Sequence, residues 1–249
     1  MSIVFGVDVG GSGVKAAPVD TASGDLVHSR NRIPTPQPAT PEAVYDVIEE
    51  LLDTDDWQGP FGVAIPAVVT GGVARTAANI DDSWIGRDVR SDLASRRTTD
   101  VIVLNDADAA GVAEMRFGQG RGVGGVVIVL TFGTGVGSAV FVDGRLVPNT
   151  EFGHLEFLGG AAELSTAARL VEDDDMAVEE WAQRVDRYLD MLYRVFTPSL
   201  VIFGGGISKR FEAFGHLLHI PCEVVPAALR NEAGIVGAAL AAEHLLEAT

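Results

Sequence analysis

Two aspartates stand two residues apart where an apolar run ends, in VLNDADAAGVAE at positions 103–114. A carboxylate at the mouth of a strand can take a proton from a substrate hydroxyl. A carboxylate in the first turn of a helix can instead satisfy free backbone N–H groups. Asp106 and Asp108 therefore compete for the working role, and their spacing leaves both readings open. Three glycine-rich turns follow apolar runs: DVGGSG at 8–13, TFGTGVGS at 131–138 and FGGGIS at 203–208. Glycine lets backbone N–H groups approach an anion with no Cβ in the way, and neighbouring hydroxyls add donors. None of the turns has the P-loop spacing or the dinucleotide fingerprint. Asp8, at the first turn, is placed to hold magnesium through water, to orient phosphate, or to bond the N–H groups of its own turn. In NTEFGHLEF at 149–157, Glu151, His154 and Glu156 fall close together. No second histidine stands at ligand spacing, so these groups suit the hydroxyls of a sugar at least as well as a metal.

The elements that must hold these groups are legible as periodicity. IVFGVDV (3–9) and VKAAPVD (14–20) predict a β-hairpin about a glycine turn. Thr40 suits an N-cap and Pro41 the first helical position. Val44, Val47, Ile48, Leu51 and Leu52 then form one face of an amphipathic helix. GVAIP predicts a strand, followed by a loop-rich segment to about residue 85. VIVL at 101–104 is a short buried strand, and ADAAGVAEMRFG the helix after it. VVIVLTFG and VGSAVFV are two more strands, with Asp143-Gly144 closing another hairpin. Val185, Tyr188, Leu189, Leu192 and Tyr193 mark a long helix, LVIFGGGIS a strand, and AGIVGAALAAEHLLEA a final apolar helix. The acid-rich VEDDDMAVEEW at 171–181 reads as a solvated helix start. Hairpin followed by helix, twice over, predicts an α/β protein of two similar lobes with a cleft between them.

A chain of 249 residues, 47% hydrophobic, is long enough for one large domain or two ordinary lobes. No run approaches the roughly 20 apolar residues of a membrane helix, and no basic leader precedes the first strand. A cytoplasmic protein with no membrane partner is the expectation. Cys222 is the single cysteine, which excludes an intramolecular disulfide and a thiolate zinc cluster. Eighteen basic residues against 35 acidic ones give a formal net charge of −17, and Lys15 and Lys209 are the only lysines. That balance argues against nucleic acid as a partner, since such binders neutralise phosphates. A polyanionic substrate would have to be met by local arginines.

GVDVGGSGVK, LNDADAAG, LTFGTGVGSAV, EFGH and VIFGGGIS, in this order along nearly the whole chain, resemble the ROK family of sugar kinases. TPQPATPEAV, RTAANIDDSWIG and PAALRNEAGIVGAA narrow the resemblance to the branch that phosphorylates glucose from inorganic polyphosphate, often with ATP as an alternative donor. The resemblance implies the two-lobed actin-like ATPase (ribonuclease H-like) fold. A small N-terminal lobe over 1–106 and a larger C-terminal lobe over 107–249 would flank the cleft, the final helix, about 233–247, packing back on the small lobe. Carried over by motif, Asp106 would be the general base and Asn105 a sugar ligand beside it. Glu151, His154 and Glu163 would hold further glucose hydroxyls, with Asn79 an additional contact. Asp8, Gly10, Gly11, Ser12 and Lys15 would form the first phosphate turn, and Thr131, Gly133, Thr134 and Gly135 the second. Gly205 and Gly206 would lie by the adenosine or the distal part of the donor. Mg2+ would ride on the donor phosphates with Asp8 as its candidate protein ligand, and a homodimer without structural zinc is implied.

Several positions depart from the family pattern. Ser12 stands where threonine is usual, which keeps the hydroxyl. The cysteine cluster of many members is missing from LEFLGGAAELS. Ala67 follows Pro66 where glycine is common, implying altered loop geometry beside the sugar. The acidic charge is awkward for a polyanionic donor, and Arg116, Arg121, Arg145 and Arg210 are candidates for a local basic track. The family commonly has an amide in place of Asp108, so the resemblance assigns proton transfer to Asp106 and the helix start to Asp108. The alternatives are a strictly ATP-dependent hexokinase of the same family and a sugar-sensing regulator. The regulator would need a helix-turn-helix ahead of the turn at residue 8.

Overall fold

A computed structural model describes residues 2–243; the expected helical residues 244–247 lie outside them. β1 (Ile3–Gly10) and β2 (Gly13–Asp20) form the expected hairpin, antiparallel along their whole length with Gly10 opposite Gly13. β3 (Asn31–Ile33) adds to the free edge of β2. α1 (Pro41–Thr54) starts where the sequence predicts: the Thr40 hydroxyl accepts the Ala43 N–H at 3.4 Å, and Pro41 opens the helix. Val44, Ile48, Leu51 and Leu52 are buried along its inner face.

β4 (Phe61–Ile65) is followed by a small ribbon, β5 (Val69–Thr70) and β6 (Val73–Ala74). Next comes α2 (Val89–Arg97), started by Asp88 accepting the Ser91 N–H and ended by Thr98 in the left-handed region. This helix escapes the periodicity reading because Val89 and Leu93 are its only buried residues. β7 (Val101–Asn105) passes without a loop into α3 (Asp106–Phe117).

β8 (Val126–Phe132), β9 (Val136–Val142) and β10 (Arg145–Val147) form an antiparallel meander. A small hairpin of β11 (Glu156–Phe157) and β12 (Gly160–Ala161) leads to two short helices, α4 (Glu163–Thr166) and α5 (Arg169–Glu172). α6 (Val178–Phe196) follows, with Glu179 and Glu180 in its first turn as the acid-rich stretch implied. β13 (Leu200–Gly204), α7 (Phe211–Phe214), β14 (Glu223–Pro226) and α8 (Ala233–Ala242) follow in the described residues.

The chain divides into two compact units. One joins the residues up to Ala113 to those from Glu232 onward; the other is Glu114–Asn231. The first holds a sheet of order β3-β2-β1-β4-β7, the second a sheet of order β10-β9-β8-β13-β14. In each, three antiparallel strands come first and two strands parallel to the first-made one extend the sheet. The parallel additions need crossovers, and helices supply them. The first core gathers Phe5, Tyr45, Ile48, Phe61 and Trp84; the second is aromatic, with Phe132 stacked on Phe203 at 4.3 Å and Trp181 edge-on to Phe214 at 5.1 Å.

α8 belongs to the first unit although it comes after the second. It lies against β1, β4 and α3 at backbone contact: a Cβ on Gly6 would run into the carbonyl of Ile235, one on Gly62 into that of Ala238, and one on Gly237 into that of Ala109. Among the described residues no helix is long and apolar enough to cross a membrane.

Candidate active site

In the first unit the sequence motif around Asp106 becomes a strand-to-helix junction. β7 ends at Asn105, and Asp106 is the first residue of α3, half-buried at the carboxyl end of a parallel strand, where α/β sheets present groups to ligands. The junction is held by Asn105. Its Oδ1 accepts the N–H groups of Ala107 at 2.9 Å and Asp108 at 3.0 Å, and its Nδ2 donates to the Ala67 carbonyl at 3.1 Å. The Asn105 side chain thus caps α3, and Asp108 lies buried within the helix's first turn, the place the sequence reading gave it. Asp106 Oδ1 accepts the adjacent Ala107 N–H at 2.8 Å. Ala67, where the family commonly has glycine, contributes through its carbonyl and so fixes Asn105. With its oxygen occupied twice, Asn105 keeps one N–H for any ligand.

The first glycine turn is clamped at its carbonyls. Thr35 Oγ1 donates to the Gly10 carbonyl at 2.5 Å, and Arg32 Nη2 donates to the Ser12 carbonyl at 2.8 Å. Asn79, in the left-handed region, packs its Cβ side and carbonyl over Gly11, 3.2–3.3 Å from where a Cβ there would lie. Asn79 is therefore beside the phosphate turn. Asp8 and Lys15 are cross-strand partners on β1 and β2 and form an ion pair, Nζ to Oδ2, at 3.1 Å. Gly234, at the start of α8, makes room for the Asp8 carboxylate; a Cβ there would lie 2.7 Å from its Cγ. Thr35 and Arg32 were not singled out in the sequence: they sit in a three-residue strand and the loop after it, without periodicity. The signal that could have found them is the polar pair itself, in the segment after the glycine hairpin.

In the second unit Glu151, His154 and Glu163 come together. His154 Nδ1 lies 3.9 Å from Glu151 Oε2 and its Nε2 4.0 Å from Glu163 Oε1, so one imidazole stands between two carboxylates. Burial pushes the Glu151 carboxyl above its usual range; Glu163 adds to the rise and His154 opposes it. Glu156, the third group of the motif, is exposed on β11. Ser138 anchors the motif, accepting the Phe152 N–H at 2.9 Å and donating to the Thr150 carbonyl at 2.6 Å.

Glu163 also reaches the second glycine turn, where Oε2 accepts the Val136 N–H at 3.4 Å and fills the space over Gly135. That turn, from Thr131 through Gly133 and Thr134 to Gly135, joins β8 to β9. It is braced by the Gly133 N–H on the Gly135 carbonyl at 3.0 Å and the Arg169 N–H on the Gly133 carbonyl at 3.2 Å. Gly205 has φ +87° and runs so close to Phe132 that no side chain fits, which seats the third turn, with Gly206, against the end of β8.

The four arginines named for a basic track lie in the second unit. Arg116 stacks over Phe117 at 5.8 Å, while Arg121, Arg145 and Arg210 are exposed. Among the described residues no three His, Cys, Asp or Glu side chains gather in a metal-holding group.

Two sheets of the same strand order, one ending in a half-buried carboxylate and each carrying a glycine turn in its first hairpin, define a protein of the actin-like ATPase class. Residues 4–158 match the ROK family, and the chain belongs to it. Over 238 residues it is 51% identical to the polyphosphate glucokinase of Mycobacterium tuberculosis (strain CDC 1551 / Oshkosh), an alignment spanning 95% of this chain and 90% of that one. Its structure is similar to the inorganic polyphosphate/ATP-glucomannokinase from Arthrobacter sp. strain KM, with a TM-score of 0.93, 43% identity and coverage of 99% and 100% of the two chains. It is also similar to a ROK family glucokinase from Streptomyces griseus in complex with glucose and AMPPNP, with a TM-score of 0.81, 25% identity and coverage of 97% and 99%.

Proposed function

We propose that the protein is a sugar kinase that transfers a phosphoryl group from inorganic polyphosphate, and also from ATP, to the C6 hydroxyl of glucose. The observation that carries this reading is half-identity, over nearly its whole length, to a polyphosphate glucokinase. The glucomannokinase of similar structure, named for both donors, supports the breadth in donor.

Asp106 is assigned as the general base: it accepts the C6 hydroxyl proton as that oxygen bonds to phosphorus and the bond to the donor's bridging oxygen breaks. Its seating by Asn105 fits the role, because phosphoryl transfer depends on positioning and charge neutralisation more than on covalent help from protein. Glu151, His154 and Glu163 are assigned to the sugar hydroxyls, the carboxylates accepting and the imidazole donating or accepting. The last N–H of Asn105 and the side chain of Asn79 are assigned further hydroxyl contacts. Backbone N–H groups of the turns at Gly10–Ser12 and Thr131–Gly135 neutralise phosphate oxygens, with Lys15 beside the first and Gly205–Gly206 at the distal part of the donor.

A lone carboxylate beside a phosphate turn fits magnesium, which keeps several waters and takes one or two carboxylates together with substrate phosphates. Asp8, with Oδ2 given to Lys15 and Oδ1 left over, would hold it. When bound with the donor, the ion neutralises charge on the transferring group. A cytoplasmic location, an entry step to glycolysis and a homodimeric state belong to the same proposal through the family resemblance; light scattering tests the last.

The deciding experiment is a coupled assay for sugar 6-phosphate that crosses glucose and mannose with ATP and nucleotide-free polyphosphate. Glucose 6-phosphate from polyphosphate is the expected result. Product from ATP alone would reduce the enzyme to an ATP-dependent hexokinase, and no product from either donor would end the kinase reading.

A further inference from the structure

We infer that Arg32 is a donor-binding residue, a guanidinium that holds a phosphate of the donor against the first glycine turn. The inference rests on the kinase reading above and adds to it a residue outside every motif that supports that reading.

The first turn has two basic side chains beside it, Lys15 and Arg32, which are cross-strand partners on β2 and β3. Lys15 is compensated by Asp8 at 3.1 Å. Arg32 is exposed, and among the described residues no carboxylate forms an ion pair with it. In a chain with 35 acidic residues and a net charge of −17, an exposed arginine without an acidic partner, placed on a glycine turn, is the one positive charge there left for an anion.

Geometry adds to this. The guanidinium lies flat over Gly13, with Nε and Nη2 2.6 Å and Cζ 2.7 Å from where a Cβ on Gly13 would be, so the backbone there leaves room for it. Nη2 donates to the Ser12 carbonyl at 2.8 Å, which fixes the head group and uses one of its five N–H donors. The remaining donors sit in a planar fork, the shape that binds two oxygens of one phosphate. Thr35 takes the Gly10 carbonyl at 2.5 Å, so the electronegative oxygens at both ends of the turn are masked by donors. A phosphate chain approaching this turn meets N–H groups, a fixed guanidinium and few bare carbonyls.

A purely structural role, tying β3 to the turn through Ser12, makes a different prediction, and two substitutions separate them. Arg32→Gln keeps an N–H donor for the Ser12 carbonyl but has no charge. Arg32→Lys keeps both charge and donor but not the planar fork. Steady-state kinetics with polyphosphate and with ATP as varied donor, at low and high salt, is the experiment. Arg32→Gln is expected to raise the donor KM about tenfold or more, as for loss of one charge-assisted contact. Glucose KM and melting temperature should stay near the parent's, and the donor KM should depend less on salt. Arg32→Lys should recover most of the donor affinity. An Arg32→Gln enzyme with the parent's donor KM, or one whose glucose KM moves in step with its donor KM, overturns the inference. If the parent proves to use ATP alone, the polyphosphate part of the functional reading fails while ATP KM still tests Arg32.

Discussion

Replacing Asn105 with alanine tests the claim that one amide seats the catalytic carboxylate. The change removes three hydrogen bonds together: those from Ala107 N–H and Asp108 N–H to Oδ1, and the one from Nδ2 to the Ala67 carbonyl. Losing a helix cap costs about 0.5–2 kcal/mol. The Ala67 carbonyl is left buried without that donor, which adds about 1–3 kcal/mol. A central value near 3 kcal/mol lowers the melting temperature by about 6–12 °C in a chain of this size. Catalysis should fall further than stability explains. Asp106 is the next residue, and an error of about 1 Å in a reacting group costs on the order of a hundredfold. The assay pairs thermal unfolding with kcat measured well below the transition. Asn105→Asp keeps an acceptor for both N–H groups but sets oxygen against the Ala67 carbonyl, so it should fall between parent and alanine. An alanine variant melting within about 2 °C of the parent with unchanged kcat would show that the amide does not seat Asp106.

Three further predictions concern the carboxylates. Asp106→Asn keeps the shape but cannot accept the proton, so kcat should drop by about 10²–10⁴-fold while calorimetry still detects glucose binding; turnover within about tenfold of the parent sinks the assignment. The buried neighbour gives the contrast: Asp108→Asn should lower the melting temperature and leave kcat nearly intact. For Glu151, the folded-state pKa lies above the unfolded one, so the folded protein binds more protons between the two values and the carboxylate's contribution to stability declines as pH rises through that window. Glu151→Gln should therefore gain stability relative to the parent as pH climbs from the ordinary carboxylate value upward, and denaturant midpoints that run parallel at every pH refute the burial argument.

Residues with strong local signals were legible in the sequence. Thr40 and Pro41 announce α1 before any contact is known, because capping depends on nearest neighbours alone. The hairpin of β1 and β2 and the three glycine turns are likewise local. The trio Glu151, His154 and Glu163 was legible only in part: the first two lie within four residues, whereas Glu163 arrives through the small hairpin of β11 and β12. The roles of Asn105 and Asp108 depend on where β7 stops, a boundary set by pairing with β4 rather than by side-chain type. α2 and β3 were missed because each carries too few apolar residues for a period to show.

The position of α8 has a consequence for how the chain is made. Its backbone fits against Gly6, Gly62 and Ala109, so the sheet of the first unit lacks the cover of α8 until the residues from Ala233 onward exist. On a ribosome adding about 5–20 residues per second, the stretch between Ala113 and that helix takes roughly 6–24 seconds to appear. During that interval the inserted unit, continuous in sequence, can close on its own core. The first unit waits, its β1 and β4 glycines bare, for a segment synthesised only after the inserted unit.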